Sequence, residues 1–353
     1  MTSMLQIALD AMGGDSAPVP EVEGALMAAR DLGVKVLLAG RPERLQVALQ
    51  EAGWTTEPIE ILPASEVVAM DETATRAVRT KRDSSLRVGL EALKQGRAVG
   101  FVSAGNTGAV VAAATLWLGT IPGIARPALA TVLPTLNGRG TLLLDIGANA
   151  DCKPAMLDQF AVMGATYAER ILGVARPQVG LLSIGEESVK GNELTRETHA
   201  LLRQHAAHRP FDFVGNVEGK DVYAGVVDVI VCDGFTGNVV LKVSEGLATT
   251  LLTLLQQAFG SAAGARDALS GLQQVRARFD YAEYGGAPLL GIRQPVIIGH
   301  GRSTPQAICN AIRVARDAHL RHLNHQIAAD PAVVAMLQTP HRNGATASIP
   351  SLA

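Results

Sequence analysis

Val99–Trp117 reads V-G-F-V-S-A-G-N-T-G-A-V-V-A-A-A-T-L-W. An apolar run without polar alternation gives way to a Ser/Gly/Asn/Thr turn, and the turn to an alanine-rich stretch. The first pattern belongs to a strand covered on both faces, because every side chain then meets an apolar neighbour. The turn offers Asn and Thr as caps for a helix.

The same order recurs outward in both directions. Comparable runs begin at Leu5, Val34, Ile59, Leu129, Thr141, Val179, Phe211, Val226 and Pro295. Helical patterns lie between many of them, at Val19–Asp31, Arg41–Ala52, Ser84–Gln95, Ala109–Trp117, Met156–Leu172, Asn192–His205 and Gln306–His322. Repeated strand–helix order predicts an α/β sandwich with a mostly parallel sheet and right-handed crossovers. One catalytic domain is expected over residues 1–327, followed by a mobile tail at 328–353, where Pro, Ala, Ser and Thr replace any periodicity.

Composition narrows the function. In 353 residues, apolar side chains make up 48% and charged ones 18%, which excludes extensive disorder. Thirty-one basic and thirty-three acidic residues leave a net charge of −2, and only 13 residues are aromatic, so nucleic acid is not an expected partner. Cys152, Cys232 and Cys309 are too few and too scattered for a disulfide framework or a thiolate zinc site, which fits a reducing cytoplasm. The N-terminal MTSMLQIALDAMGGD has no basic leader and is not read as a secretory signal. Two uncharged stretches, Ala98–Ala125 and Gly246–Ala265, are expected not to span a bilayer. Fingerprints for a P-loop, a standard dinucleotide fold, a zincin or an α/β-hydrolase are missing, and no metal or cofactor is expected.

Five apolar runs end in turns of similar chemistry, namely D-A-M-G-G-D at 10–15, S-A-G-N-T-G at 103–108, D-I-G-A-N-A-D at 145–151, S-I-G-E-E at 183–187 and C-D-G-F-T-G-N at 232–238. In a parallel sheet the carboxyl ends share one edge, so the five loops are expected to converge into an anion-binding crevice. Each loop taken alone is also an ordinary capped turn. His300 reads as a turn-ordering histidine, and Cys232, ending an apolar run without an adjacent histidine, as a core thiol. Residues 76–97 carry Arg76, Arg79, Lys81, Arg82, Arg87, Lys94 and Arg97 against Asp83 and Glu91, either a solvated face or a steering surface. From Leu247 the apolar residues 247, 251, 254, 255 and 258 fall on one side of an amphipathic helix whose polar face has no charge before Arg266, so packing against a partner subunit is its plain reading.

The stretches IALDAMGGD, KRDSS, SAGNTGA, LDIGANADCKP, IGEESVKGNEL, GNVEGKD, DVIVCDGFTGNVVLK, GGAPLLGI and IIGHGRS closely resemble the bacterial phosphate acyltransferases of phospholipid synthesis, from about Leu5 to about His325. Ser183 departs from the family's Asn, and the tail after Ala328 extends past the usual end. The resemblance implies a three-layer α/β/α fold similar to phosphotransacetylases and isopropylmalate dehydrogenases, and a homodimer. It implies acyl transfer from acyl carrier protein to inorganic phosphate without a covalent acyl-enzyme, the product passing to a membrane-bound glycerol-3-phosphate acyltransferase. Lys190 in K-G-N and Asn238 in G-F-T-G-N are then the expected catalytic residues. Phosphate or substrate contacts are expected from Ser103, Gly105, Asn106, Thr107 and Gly108, with Asp10, Gly13, Gly14, Asn149, Glu186, Glu187, Gly234, Thr236 and Gly237 on the same edge. A helical hairpin at about 245–285 is expected to touch the inner face of the cell membrane through Leu254, Leu255 and Phe259, making the protein cytoplasmic and peripherally associated. A coenzyme A-dependent phosphotransacetylase, a non-catalytic scaffold and a decarboxylating dehydrogenase are the alternatives.

Overall fold

In the computed structural model, which describes residues 4–259, 285–331 and 333–334, each of the ten apolar runs forms a strand. They are β1 (Gln6–Asp10), β2 (Lys35–Gly40), β3 (Ile59–Pro63), β4 (Gly100–Ser103), β5 (Ala128–Leu133), β6 (Thr141–Leu144), β7 (Gln178–Leu182), β8 (Asp212–Val217), β9 (Val229–Val231) and β11 (Val296–Ile298). An additional strand, β10 (Ala287–Leu290), comes from A-P-L-L, which is too short to show a period.

All eleven join one sheet in the order β3-β2-β1-β4-β11-β10-β5-β6-β9-β7-β8. Most pairings are parallel, but three successive ones are not. β10 runs antiparallel to β11 and to β5, and β5 antiparallel to β6. The parallel group β3-β2-β1-β4-β11 therefore points one way and the parallel group β6-β9-β7-β8 the other. This corrects the expectation that all carboxyl ends share one edge, since three direction changes between β11 and β6 leave the halves opposed.

Helices α1 (Val19–Leu32), α2 (Pro42–Glu51), α3 (Ala74–Thr80), α4 (Ser85–Lys94), α5 (Thr107–Trp117), α6 (Pro154–Tyr167), α7 (Glu193–His205), α8 (Gly234–Phe259), α9 (Pro305–Leu320) and α10 (Leu323–Ala329) cover both faces. One face packs α3, α4 and α5 against side chains such as Leu37, Phe101 and Ile230. The other carries α1, α2 and α9 over Ile7, Leu9 and Leu38, and α6, α7 and α10 over Leu142, Leu144 and Val229. These are the three layers of an α/β/α sandwich.

α8 starts at Gly234, directly after β9, and not near Leu247. Its first turns pack on the sheet through Val240 and Leu241. Val239, Val243, Leu247, Leu251, Leu254 and Leu255 stay exposed, and several of them line an apolar groove of about 640 Å³ between α8 and Gly219–Tyr223. Gly234–Leu255 is long and apolar enough to cross a membrane by length and composition alone, yet it contains the ion pair Lys242–Glu245. The side chain of Phe259 and the rest of the expected hairpin to residue 284 lie outside the described residues. So does the expected tail from 335 onward. Its beginning is packed, however: Ile327 and Val333 are fully buried and Asp330 nearly so, which places 328 inside the body of the fold.

In the first turn of α1, Glu21 is 1% exposed and its Oε2 has no hydrogen-bond partner. A helix N-terminus favours a carboxylate by up to about 1 kcal/mol in ordinary settings. Burial outweighs that and, with Asp10 adding to it, pushes the Glu21 carboxyl up to about 7. The unfolded chain ionises this group near 4.5 and the native state only near 7, so its contribution to stability is whole at low pH and is lost across that window. The loss amounts to about 3 kcal/mol. Glu21→Gln should accordingly gain stability over the wild type by up to that amount at about pH 8 and almost nothing at about pH 4.5. Urea unfolding at the two pH values measures it, and an equal difference at both would contradict the assignment.

Candidate active site

The loop after β1 and the loop after β4 are built as one unit. Asp10, 3% exposed, accepts from Ser103 Oγ (2.9 Å) and from Met12 N (3.2 Å), while Ser103 Oγ accepts from Gly105 N (3.1 Å). Burial pushes the Asp10 carboxyl above its usual range, opposed by hydrogen bonds from Ser85 and Ser103. A Cβ on Gly13 would stand 2.8 Å from the Gly105 nitrogen, so only glycine lets the two loops touch. Asn106 caps α5, its Oδ1 accepting from Ala109 N (3.0 Å), while its Nδ2 donates to the carbonyls of Met70 (2.9 Å) and Glu72 (3.0 Å). Asp10, Gly13, Ser103, Gly105 and Asn106 thus support the loop. The amides of Thr107 and Gly108, first in α5, make no hydrogen bond within the described residues and carry the positive end of the helix dipole.

In the other half, Asp145 at the end of β6 is completely buried. Its Oδ1 accepts from Leu129 N (3.0 Å), Gly147 N (3.1 Å) and Ala148 N (2.9 Å), and its Oδ2 from Asn149 N (2.7 Å) and Asn149 Nδ2 (2.9 Å). Asn149 passes the order on: its carbonyl accepts from Gly234 N (2.8 Å). Asp233 then caps α8, accepting from Thr236 N and Thr236 Oγ1, both at 2.8 Å. Any side chain on Gly237 would collide with the Asp145 carbonyl, its Cβ lying 1.9 Å away. Asn149, Gly234, Thr236 and Gly237 are therefore framework for the first turn of α8.

Between the halves lies a cleft of about 290 Å³ over the centre of the sheet. Thr107 and Gly108 line it from α5, Ile146 and Gly147 from the loop after β6, Asn238, Lys242 and Glu245 from α8, and His300 from the end of β11. Asn238 Nδ2 donates to the Ile146 carbonyl (3.2 Å), which leaves its second amide proton for another acceptor. Lys242 Nζ pairs with Glu245 Oε2 at 2.9 Å, both partly exposed. His300 Nδ1 accepts from Arg302 N (3.1 Å), so the neutral ring carries its proton on Nε2; burial, then the Lys242 charge, lowers its pKa.

Other expected residues lie elsewhere. Lys190 is exposed in the loop between β7 and α7, its N–H on the Glu187 carbonyl, and is not among the residues that line the cleft. That loop borders a second depression of about 460 Å³ with Ser183, Asn192, Cys232 and Thr236. Glu186 and Glu187 are exposed; Glu186 pairs with Lys220 (3.2 Å), which also binds Glu218. Gly14 abuts Glu21 behind the first loop. Burial pushes the Cys152 thiol up to about 12 and the Cys232 thiol well above its usual value. Sequence reasoning missed Lys242, Glu245 and Asp145 as site residues. Lys242 and Glu245 follow Asn238 at helical spacing, but that signal is usable only if α8 already runs at Asn238.

The family described as fatty acid synthesis protein matches residues 5–326. Phosphate acyltransferase of Acidobacterium capsulatum is 50% identical over 337 residues, covering 94% of this chain and 98% of its own. That of Heliobacterium modesticaldum is 51% identical over 317 residues, 88% and 93% of the two chains. Among solved structures, EutD phosphotransacetylase from Staphylococcus aureus aligns at 18% identity and TM-score 0.59 over 90% of this chain and 94% of its own. A 4-hydroxythreonine-4-phosphate dehydrogenase from Klebsiella pneumoniae aligns at 13% and 0.53 over 90% and 98%. These two share the fold.

Replacing Asp145 by Asn would set an amide donor against the donors it now satisfies. Asp145→Asn should lower stability by about 2–4 kcal/mol, the cost of leaving buried partners of a charged group unpaired, and should lower turnover with it. Urea denaturation and an activity assay test this; an unchanged midpoint would remove Asp145 from its organising role.

Proposed function

This chain belongs to the phosphate acyltransferase family and is an acyltransferase, and on that premise we propose that it joins inorganic phosphate to a fatty acyl group delivered as a thioester on acyl carrier protein. The observation that carries the reading is the single cleft in which unpaired helix amides from one half face an amide and an ammonium side chain from the other.

Phosphate is anionic at neutral pH and nucleophilic without a strong base, so the site must chiefly position it and balance its charge. Thr107 N–H, Gly108 N–H and Lys242 Nζ supply donors and positive charge for its oxygens. A phosphate oxygen attacks the thioester carbonyl; the C–O bond forms and the carbonyl electron pair moves to oxygen. Asn238 Nδ2–H, and Lys190 brought in from its loop, stabilise that oxyanion. As it collapses the C–S bond breaks and the thiolate leaves with the electron pair, needing no strong acid. The raised thiol pKa values support direct attack, because neither Cys152 nor Cys232 is readily a nucleophilic thiolate at neutral pH.

The exposed apolar side of α8 supports two contacts of this reading: a second copy of the chain along the groove, and lipid at the distal end around Leu254 and Leu255. The protein then works in the cytoplasm at the inner face of the cell membrane and hands its acyl phosphate to a membrane-bound glycerol-3-phosphate acyltransferase.

Purified protein incubated with phosphate and either acyl carrier protein thioester or acyl-coenzyme A, with the product trapped by hydroxylamine, tests the reaction; failure of the carrier-bound donor would reject it. In that assay Lys190→Ala, Asn238→Ala and Lys242→Ala should each lower turnover by about a hundredfold, the scale of one oxyanion donor, with melting temperature preserved. Near-normal turnover in any of them removes that residue from the mechanism. Leu254→Glu should abolish vesicle flotation and leave the dimer and soluble turnover intact, since a charge is costly at lipid and not in water. A variant that floats but sediments as a monomer would refute the lipid assignment.

A further inference from the structure

Seven basic residues fall between 76 and 97, and the structure divides them. Lys81 is held by Glu72 at 2.5 Å, Arg87 by Glu91 at 2.9 Å and Arg97 by Glu60 at 2.6 Å. Arg87 also lies over the Trp117 ring, 5.0 Å from its centre. Those three are spent on the fold. Arg76, Arg79 and Arg82 are exposed and have no ion pair or side-chain hydrogen bond among the described residues. Of the acidic side chains near them, Glu72 serves Lys81, Glu66 accepts from Asp83 N (2.9 Å), and Asp83 accepts from Ser65 N (2.9 Å) and Ser65 Oγ (2.6 Å); Asp71 is exposed and has no ion pair or hydrogen bond among the described residues.

The position of these arginines singles them out. Arg76 and Arg79 are one turn apart on α3, and Arg82 follows its end. α3 buries Ala77 and Val78 on its inner side. Its first residue, Ala74, touches the rim of the cleft, its Cβ lying 3.4 Å from where a Cβ on Gly108 would stand. The segment just before α3 is fixed to the cap of α5 by the Asn106 bonds to Met70 and Glu72. α3 has only seven residues, about 10 Å of helix, and it starts at the cleft rim, so Arg76 and Arg79 stand on a short element whose first residue touches Gly108 and Arg82 follows directly after it. A protein bound there would hold a flexible thioester arm at the mouth of the cleft.

We propose that Arg76, Arg79 and Arg82 form the docking surface for the acidic carrier protein that presents the acyl thioester, a proposal that rests on the carrier-bound donor of the preceding section. Charges at the rim of an interface act mainly on encounter rate and salt dependence, and little on chemistry once the complex has formed. The arginines should therefore govern KM for the carrier-bound donor alone.

Initial rates of Arg76→Glu, Arg79→Glu, Arg82→Glu, and of the milder Arg→Gln set, are measured with acyl carrier protein thioester and with an acyl-pantetheine thioester that lacks the protein. Lys94→Glu, a charge reversal on α4, is the control. The expected result at low salt is a rise of about tenfold in KM for the carrier-bound donor on charge reversal, less for Gln, with kcat, KM for phosphate and rates on acyl-pantetheine unchanged. Added KCl should shrink the difference, and Lys94→Glu should behave as wild type. An unchanged KM in the arginine variants, or an equal loss on both donors, overturns the docking surface while the reaction assignment stands. A wild-type enzyme that works no better on the carrier-bound donor than on acyl-pantetheine overturns the carrier reading itself.

Discussion

The Asp145 carboxylate is the constraint on which the central cleft depends. A fully buried carboxylate carries a desolvation penalty of several kcal/mol, and five N–H donors from Leu129, Gly147, Ala148 and Asn149 offset it. Those donors come from a neighbouring strand and from the loop that follows, so satisfying the charge folds 145–149 against β5. The Asn149 carbonyl then receives the Gly234 amide, and the close approach at Gly237 seats α8 directly on the Asp145 carbonyl. Asn238 and Lys242 reach the cleft as a result, one and two turns into a helix whose origin one carboxylate has set.

Opposed halves give the cleft its chemical division. The first half contributes backbone: Asp10, Ser103 and Asn106 spend their side chains holding two loops together, and what faces the cleft is the amide end of α5. Backbone amides suit a phosphate because they cannot titrate and hardly move. The second half contributes side chains from α8, which suit a group whose charge develops during reaction. His300, beyond the end of β11, also lines the cleft, and burial, then the Lys242 charge, lowers its pKa.

Several polar groups outside the cleft have partners of their own. Glu186 and Glu218 share Lys220 on the surface. Cys232 donates to the Asp145 carbonyl from the core, and burial keeps it a thiol. The exposed side of α8 shows the reverse: Val243, Leu247, Leu251 and Leu254 are plain apolar residues, but no packing among the described residues explains them. An apolar groove beside them marks the side on which further burial is available.

Strand and helix identity was legible in the sequence, because both periods are local: ten apolar runs became ten strands, and the helical spacings at Val19, Ser84 and Asn192 became α1, α4 and α7. The Gly-Asn-Thr and Asp-Gly-Phe-Thr-Gly-Asn turns were legible for the same reason, since capping and close approach need particular residue types. Strand direction was not. It hangs on β10 pairing with β5, with Leu289 opposite Leu129, and on β5 reversing into β6; a register between residues so far apart leaves no trace in either segment. Only the tertiary structure therefore decided that the loops after β4 and β9 meet while the loop carrying Lys190 opens elsewhere, and that Lys242 belongs to the cleft. Periodicity and capping are settled by neighbours along the chain, whereas convergence is settled by long-range hydrogen-bond register and by the single buried charge that organises it.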